Sequence, residues 1–170
     1  MLLRHAKSDW PTGVDDHERP LRAGRGRQAS ALMGKYMARE GLAPDLVIVS
    51  TARRAQETWD LACSAFAQPI PRRNDPRLYE ATAGSLLQVV HETRDDIHTL
   101  LLVGHHPGFQ SLALELSRDA SGPVATRVRD KYPTAGLAVI DFDVAHWNQV
   151  RPATGKIRRF ETPRLIDSGN

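Results

Sequence analysis

An arginine and a histidine stand side by side near the start of the chain, as Arg4 and His5, directly after a short apolar run. A neutral imidazole can attack phosphorus, and a planar guanidinium can give two parallel hydrogen bonds to phosphate oxygens. Two later segments hold the same kinds of group, with the sequences STARRAQET at residues 50–58 and VGHHPG at residues 103–108. Together the three segments predict a site for phosphoryl transfer.

Four side chains are the candidates for this site: Arg4, His5, Arg54 and His105. A phosphoryl group in transfer spreads negative charge over three oxygens, so catalysis needs fixed positive donors and an in-line nucleophile. Arg4 and Arg54 supply such donors, and their charges disfavour the protonated form of His5, which keeps its ring nucleophilic. His105 is expected to be a second donor to the phosphoryl oxygens, protonated when the dianion is bound.

Each of these side chains alone has a structural interpretation that the sequence leaves open. A histidine at a strand end is commonly a hydrogen-bonded structural residue, and Arg54 could form an ion pair on a helix surface. His105 and His106 could bind a metal, but the sequence has no helical His-x-x-x-His and no Cys/His cluster to complete such a site. The joint occurrence of the three segments favours the phosphate site.

Alternating strand and helix patterns must position these groups. Continuous apolar or β-rich stretches predict strands, at residues 1–3, 46–49, 77–79, 99–103 and 136–143, with a return strand at 147–150. Helical spacing of apolar residues predicts helices, over 25–39, from Ser50 as N-cap to about residue 66, over 85–93 and from 107 onward. This alternation predicts an α/β fold of three layers, α/β/α, with a mostly parallel sheet. All three segments fall at the carboxyl ends of strands, where such sheets bind ligands.

Length and composition suit one globular domain over residues 1–170, since 41% of the residues are hydrophobic and no linker or repeat divides the chain. No apolar stretch approaches the ~20 residues of a membrane helix, and the N-terminus shows no secretory signal. The single cysteine, Cys63, fits a reducing cytosol, so we expect a cytoplasmic protein. A net charge of +3 suits an anionic substrate, whereas an aromatic content of 6% argues against a nucleic-acid module.

On these motifs the sequence resembles the histidine phosphatase superfamily, whose fold is phosphoglycerate-mutase-like. The closer likeness is to its short bacterial branch, the SixA-type phosphohistidine phosphatases. The family's motifs Arg-His-small, Ser-x-x-x-Arg-small-x-x-Thr and Gly-His-x-Pro are matched in order by residues 4–6, 50–58 and 104–107. The short-branch segment Asp-x-x-Arg-Pro-Leu is present at residues 16–21, and Tyr-Pro-Thr-Ala at 132–135 is similar as well. The likeness covers nearly the whole chain.

The resemblance implies a metal-independent phosphatase that uses no cofactor. It implies that His5 takes the phosphoryl group as a phosphohistidine intermediate, which water then hydrolyses. It also implies that the phosphate pocket is formed by Arg4, Arg54 and His105. Signalling through phosphorylated proteins in the cytoplasm is the role that this branch suggests.

The resemblance implies three further site residues, which are Ser8, Arg19 and Glu80. Ser8 and Arg19 are expected to bind substrate at the pocket, and a salt bridge within its own loop is the alternative for Arg19. Many family members place a carboxylate after the third strand as proton donor, and Glu80 is the best match here. An exposed loop glutamate is the alternative for Glu80. Imidazole is a better leaving group than an alkoxide, so Glu80 could be dispensable if the substrate is a phosphohistidine.

The leading hypothesis for the substrate is phosphohistidine in a protein, such as a histidine-containing phosphotransfer protein. A phosphatase for small phosphomonoesters or for other phosphoprotein residues is the alternative, and a non-catalytic binder of phosphorylated ligands on the same fold is a third. Pro11 stands where larger mutase members have asparagine, and the chain lacks the length for their substrate-covering insertions, so a sugar-phosphate mutase is disfavoured. Neither nucleic acid nor a membrane is expected as a partner.

Overall fold

The computed structural model describes residues 1–168 and places a mixed sheet between two layers of helices. Its strands are β1 (Leu2–Arg4), β2 (Leu46–Val49), β3 (Arg72–Asn74), β4 (Leu100–Gly104), β5 (Leu137–Phe142) and β6 (Gly155–Glu161). They lie in the order β3-β2-β4-β1-β5-β6. The first four strands in that order pair in parallel, and β5 and β6 add antiparallel pairings at one side. The predicted, mostly parallel sheet is confirmed.

Helices cover both faces of this sheet. They are α1 (Arg25–Arg39), α2 (Arg53–Ala62), α3 (Ala83–His91), α4 (Gly108–Leu116), α5 (Pro123–Asp130) and α6 (Pro163–Ser168). In β4, Leu101 and Val103 pack with apolar residues of α1, α2 and α6, whereas Leu100 and Leu102 pack with those of α3, α4 and α5. Alternate side chains of β4 thus enter two separate hydrophobic clusters, which is why its sequence is apolar throughout. The three-layer α/β architecture is confirmed.

The strand predicted at residues 77–79 is wrong. Residues Pro76–Leu78 form a single turn of 3-10 helix, and the strand lies earlier, at β3. The Asp75 carboxylate accepts a hydrogen bond from the Arg77 backbone N–H at 3.0 Å, which caps the turn. Proline has no backbone N–H to give to a sheet and suits the first turn of a helix, so the local chemistry favours the turn over the strand.

The return strand predicted at residues 147–150 is also wrong, because Trp147–Gln149 is another 3-10 turn. The indole N–H of Trp147 donates to the Ile97 carbonyl at 2.6 Å, and the Gln149 amide oxygen accepts from backbone N–H groups of the same loop. The true partner of β5 is β6, seven residues long and partly charged on its outer face. Polar residues alternate with apolar ones in β6, so its sequence contains no continuous apolar run that would predict a strand.

The carboxyl ends of β1, β2 and β4 lie at the same edge of the sheet, because these three strands are parallel. The segments after them carry Arg4 and His5, Ser50 to Arg54, and His105. In residues 1–168, no helix has the length and apolar character needed to cross a membrane.

Candidate active site

His5 lies directly after β1, and its ring orientation is fixed by the backbone. The backbone N–H of His5 donates to the Gly104 carbonyl at 2.9 Å, and this bond holds the residue at the end of β4. Its ring Nδ1 lies 2.8 Å from the Ala6 carbonyl oxygen, which can only accept a hydrogen bond. The proton of the neutral ring therefore sits on Nδ1, and the lone pair is left on Nε2. The imidazole is thus arranged to use Nε2 as a nucleophile.

The surroundings of His5 keep this imidazole neutral. Burial lowers the pKa of His5 well below its usual value, and the neighbouring His105, Arg54 and Arg4 lower that pKa further. The hydrogen bond to Ala6 acts in the opposite direction but does not outweigh them. Only 8% of the His5 surface is exposed. The unprotonated form needed for attack on phosphorus is therefore the ground state at neutral pH.

His105 stands beside His5, with the two ring centroids 5.1 Å apart. Its Nε2 lies 2.7 Å from the Ser50 hydroxyl, and that oxygen also accepts the Ala52 N–H. Because the Ser50 oxygen already accepts the Ala52 N–H, the Ser50 hydroxyl can donate its own hydrogen to Nε2 of His105. The proton of the neutral His105 ring then lies on Nδ1. Burial and then Arg54 lower the pKa of His105 to about 3, so in this arrangement it is a neutral N–H donor. A cationic His105 would need the charge of a bound dianion.

The sequence predicted Ser50 as the N-cap of α2, and this prediction is wrong. The helix begins at Arg53, and no side chain caps its first turn. Its end was also placed too late, since α2 stops at Ala62 and Phe66 packs beside it against Trp59. The Ser50 hydroxyl is used for a contact with His105, 55 residues away, and capping rules describe only local partners.

The terminal Nη atoms of the two predicted arginines donate to protein groups, whereas their Nε–H groups have no protein partner. Nη1 of Arg4 donates to the Tyr132 carbonyl at 2.6 Å, and Nη2 of Arg54 donates to Asp16 at 2.9 Å. Among residues 1–168, five buried side-chain nitrogens have no hydrogen-bond partner, and three belong to the site: Arg4 Nε, Arg54 Nε and His105 Nδ1. Buried donors are normally paired, and these three groups belong to residues that line the same cavity as His5, so they are the donors left for an anion.

Asp16 is a site residue that the motifs left without a role, although it opens the Asp-x-x-Arg-Pro-Leu segment. Its carboxylate accepts hydrogen bonds from Arg54, Arg19 and the Tyr79 hydroxyl, the last at 2.8 Å. Burial alone would raise the pKa of Asp16, but the three hydrogen bonds outweigh it and hold that pKa well below its usual value. An ionised Asp16 therefore orients Arg54 and connects it to Tyr79 across the site.

Arg19 and Ser8 lie in the loop that precedes α1, and both line the same cavity as His5. Nη2 of Arg19 donates to the Ser8 hydroxyl at 2.7 Å, and Nη1 donates to Asp16 at 2.8 Å. Its guanidinium carbon also lies 3.3 Å from the centroid of the Trp10 ring. Arg19 thus forms the salt bridge within its loop and also lines the pocket, and its contact with substrate stays a prediction.

Glu80 lies at the wall of the cavity opposite this loop, and it is exposed. Its backbone has a φ of 51°, in the left-handed region that non-glycine residues rarely adopt. The next residue, Ala81, packs so closely on the start of α4 that a Cβ at Gly108 would lie 2.3 Å from the Ala81 carbonyl oxygen. The loop position of Glu80 is therefore determined by close packing, and the residue lines the pocket.

All seven predicted residues line one cavity of about 780 Å³, which also holds Asp16, Tyr79 and Trp10. The lining includes Arg4, His5, Ser8, Arg19, Arg54, Glu80 and His105. In the described part of the chain, no group of three or more His, Cys, Asp or Glu side chains is arranged to hold a metal ion. The donors and the nucleophile are those that phosphoryl transfer through a histidine requires.

Comparison with known proteins agrees with this chemistry. The model of the histidine phosphatase superfamily (branch 1) matches residues 1–102. The uncharacterized protein Rv1276c of Mycobacterium tuberculosis is 38% identical over 164 residues, which are 95% of this chain and 100% of that protein. The SixA structures from Agrobacterium tumefaciens and Nakamurella multipartitia are each 25% identical, with TM-scores of 0.80 and 0.82. Each alignment covers 95% of this chain, and 96% and 95% of those chains respectively.

Proposed function

This chain belongs to branch 1 of the histidine phosphatase superfamily and is a phosphatase, and from that premise we propose that it hydrolyses phosphohistidine in proteins through a phosphoenzyme intermediate on His5. One observation carries the proposal. Three buried N–H donors without a protein partner, on Arg4, Arg54 and His105, stand beside a neutral His5 whose Nε2 carries the lone pair. This set fits the three oxygens of a phosphoryl group and an attacking atom in line with the leaving group.

In the first step the Nε2 lone pair of His5 forms a bond to phosphorus, while the bond from phosphorus to the leaving group breaks. Charge on the three phosphoryl oxygens is stabilised by N–H groups of Arg4, Arg54 and His105, which are already in place. Asp16 holds the outer edge of Arg54, so little reorganisation is needed. The substrate ring leaves with the electron pair of the broken bond, as a neutral imidazole when its second nitrogen carries a proton.

In the second step water attacks the phosphorus of phosphorylated His5, the P–N bond breaks and its electron pair returns to Nε2. Inorganic phosphate leaves with the oxygen of that water, and the neutral enzyme is restored. Throughout both steps the Nδ1–H of His5 stays bonded to the Ala6 carbonyl, which keeps the ring in one orientation. We assign to Glu80, which lines the same cavity, the transfer of a proton to a poor leaving group in the first step or from water in the second.

Two observations favour a protein as the substrate. Trp10 lines the cavity and is 74% exposed, so a large aromatic surface stands at the pocket mouth, held by the Arg19 guanidinium. Exposed aromatic residues of this kind are common in protein-binding surfaces. In addition, the two SixA proteins with similar structures are themselves proposed phosphohistidine phosphatases. We also propose that residues 1–170 act as one domain in the cytoplasm, as composition and Cys63 suggest.

The experiment is a hydrolysis assay in EDTA on a phosphohistidine peptide and on p-nitrophenyl phosphate, comparing wild type with His5→Ala. We expect wild type to prefer the peptide, EDTA to have no effect and His5→Ala to be inactive on both substrates. A preference for p-nitrophenyl phosphate would move the substrate class to small phosphomonoesters and keep the nucleophile. An active His5→Ala enzyme, or loss of activity in EDTA, would contradict the mechanism.

A further inference from the structure

A second cavity, larger than the catalytic one, forms a groove along α1 and α6. Its volume is about 1200 Å³. One wall is a helical stripe of α1, and the other consists of the end of α5, the segment after it and α6. We name this cavity the basic groove, and its charged lining residues are Lys7, Arg22, Arg25, Lys35, Arg127, Asp130, Lys131, Arg164 and Asp167.

The charge of the basic groove is strongly positive. Seven basic side chains line it against two acidic ones, a formal excess of five positive charges. The whole chain has a net charge of only +3, so the remainder of the molecule is net negative. The positive charge is therefore concentrated along this groove, and such a concentration attracts anionic partners.

Little of this charge is neutralised within residues 1–168. Arg22 lies 3.7 Å from Asp9, and the other six basic residues form no ion pair with a described side chain. All seven are exposed. By contrast, most arginines elsewhere on the surface are paired, as Arg77 is with Asp75 and Glu92. Unpaired, exposed cations in one groove remain available to an external ligand.

The basic groove adjoins the phosphate pocket. Lys7 and Thr134 line both cavities. Lys7 follows His5 by two residues in the chain, so a ligand whose phosphoryl group reaches His5 can extend directly into the groove. Arg25 and Lys35 are ten residues apart on α1, which corresponds to about 15 Å along the helix. A ligand that meets both cations is longer than a small phosphorylated metabolite.

The lining favours a polypeptide over a nucleic acid. The one aromatic residue in the groove, Phe160, is 3% exposed, so the described lining offers no ring on which bases could stack. Apolar side chains are present instead, including Leu32 of α1 and Leu165 of α6, the latter 43% exposed. Cations interleaved with aliphatic side chains complement a segment that alternates acidic and apolar residues.

We propose that the basic groove binds an acidic, partly apolar segment that flanks the phosphorylated residue of the protein substrate. This inference rests on the proposed function, because it assigns the groove to the substrate whose phosphoryl group enters the His5 pocket. Acidic flanks then lower KM by adding binding energy outside the reacting centre, and they leave the chemistry at His5 unchanged.

A binding experiment tests the groove without turnover. A fluorescein-labelled peptide of alternating glutamate and leucine, without phosphate, is titrated with wild type, with Arg25→Glu/Lys35→Glu and with Arg118→Glu/Lys156→Glu. The last variant is the matched control, since it changes the net charge equally at exposed cations outside the groove. We expect binding to weaken at least about tenfold in the first variant only, and to weaken in wild type at high salt. Equal effects of both variants, or tighter binding of a single-stranded oligonucleotide than of the peptide, would overturn the proposal.

A kinetic experiment separates this proposal from the proposed function. Phosphohistidine peptides with acidic and with neutral flanks are compared in wild type and in the two double variants, with p-nitrophenyl phosphate as the substrate that does not reach the groove. We expect the acidic flank to lower KM about tenfold in wild type and in the control, and not in Arg25→Glu/Lys35→Glu. If acidic flanks have no effect on KM while phosphohistidine is hydrolysed, the groove proposal fails and the proposed function stands. If no phosphohistidine peptide is hydrolysed but acidic-peptide binding depends on the groove, the proposed substrate fails and the acidic-segment site stands.

Discussion

The Ser50 hydroxyl lies 2.7 Å from Nε2 of His105, and this contact determines which nitrogen of His105 carries the proton. The Ser50 oxygen already accepts the Ala52 N–H, so we assign Ser50 as the donor to Nε2, which leaves the His105 proton on Nδ1, the nitrogen without a protein partner. A serine that would be assigned to helix capping from its sequence position thus contacts the histidine that we propose as a donor, in the way that a second group orients the histidine of a hydrolase triad.

Ser50→Ala is expected to lower kcat/KM about tenfold, because it leaves Nε2 of His105 buried without a donor and removes the preference for one tautomer. Steady-state kinetics on p-nitrophenyl phosphate measure the loss, and the ¹⁵N chemical shifts of His105 report the tautomer. Ser117→Ala, at a buried serine that follows α4 and does not line the cavity, is the matched control and should retain full activity. Unchanged ¹⁵N shifts in Ser50→Ala would contradict this role.

Asp16→Asn is expected to lower kcat/KM about tenfold, because the carboxylate is the acceptor that holds Arg54 and Tyr79 in place. Asp15→Asn, at its exposed neighbour, is the control for the loss of one negative charge. If both variants lose activity equally, net charge and not the orientation of Arg54 is responsible.

The low pKa of Asp16 also predicts how stability depends on pH. Hydrogen bonds hold the folded-state pKa below the unfolded value of about 3.9, so the ionised carboxylate stabilises the fold above that pH. The contribution is lost as the pH falls through the folded-state pKa. The difference in free energy of unfolding between wild type and Asp16→Asn should therefore be constant near neutral pH and shrink below about pH 4. Urea titrations at several pH values measure it, and a difference that grows as the pH falls would contradict the assignment.

The acid limb of the pH profile for kcat/KM should lie well below pH 6.5, since burial and the neighbouring cations keep His5 unprotonated there. The same shift means that the unfolded chain binds protons below about pH 6.5 that the folded site does not, so the free energy of unfolding falls as the pH drops below this value. The profile is measured with p-nitrophenyl phosphate and corrected for the titration of the substrate, followed by ³¹P NMR. A corrected midpoint at or above pH 6.5 would show that His5 is not shielded from protonation.

Glu80→Gln should affect substrates according to their leaving groups. Turnover of an alkyl phosphate should fall by about 10²-fold or more, because an alkoxide needs a proton as it departs. Phosphohistidine and p-nitrophenyl phosphate have better leaving groups and should change little. Glu115→Gln, at an exposed carboxylate on α4, is the control. An equal loss on all three substrates would mean that Glu80 supports the pocket and does not donate the proton.

Local patterns predicted the elements whose residues carry a continuous apolar run or a helical apolar stripe. The apolar stripe of α1 predicted a helix over about 25–39, which the structure has at Arg25–Arg39, and the apolar run of β2 predicted Leu46–Val49. Proline in the turn at Pro76–Leu78 and alternating charges in β6 broke those patterns, so one strand was misplaced and another was missed. Elements of this kind are decided by capping and by pairing with a distant strand.

The residues of the candidate site also differ in whether the sequence alone could predict them. The motifs predicted the four groups that line the candidate pocket, because their chemistry is visible in single residue types. The positioning groups are not visible in this way, since Asp16 meets Tyr79 across 63 residues and Ser50 meets His105 across 55. An aspartate or serine in a loop has many ordinary uses, and only the folded arrangement selects one of them.

The most direct test of the central claim is to trap the phosphoenzyme. Wild type is mixed with a ³²P-labelled phosphohistidine peptide, quenched in alkali within the first turnover and digested with trypsin. We predict an acid-labile, alkali-stable label on the fragment of residues 5–7, which contains His5, and no label in His5→Ala. A label on another residue, or release of phosphate from wild type with no labelled protein at any time, would contradict a phosphohistidine intermediate on His5.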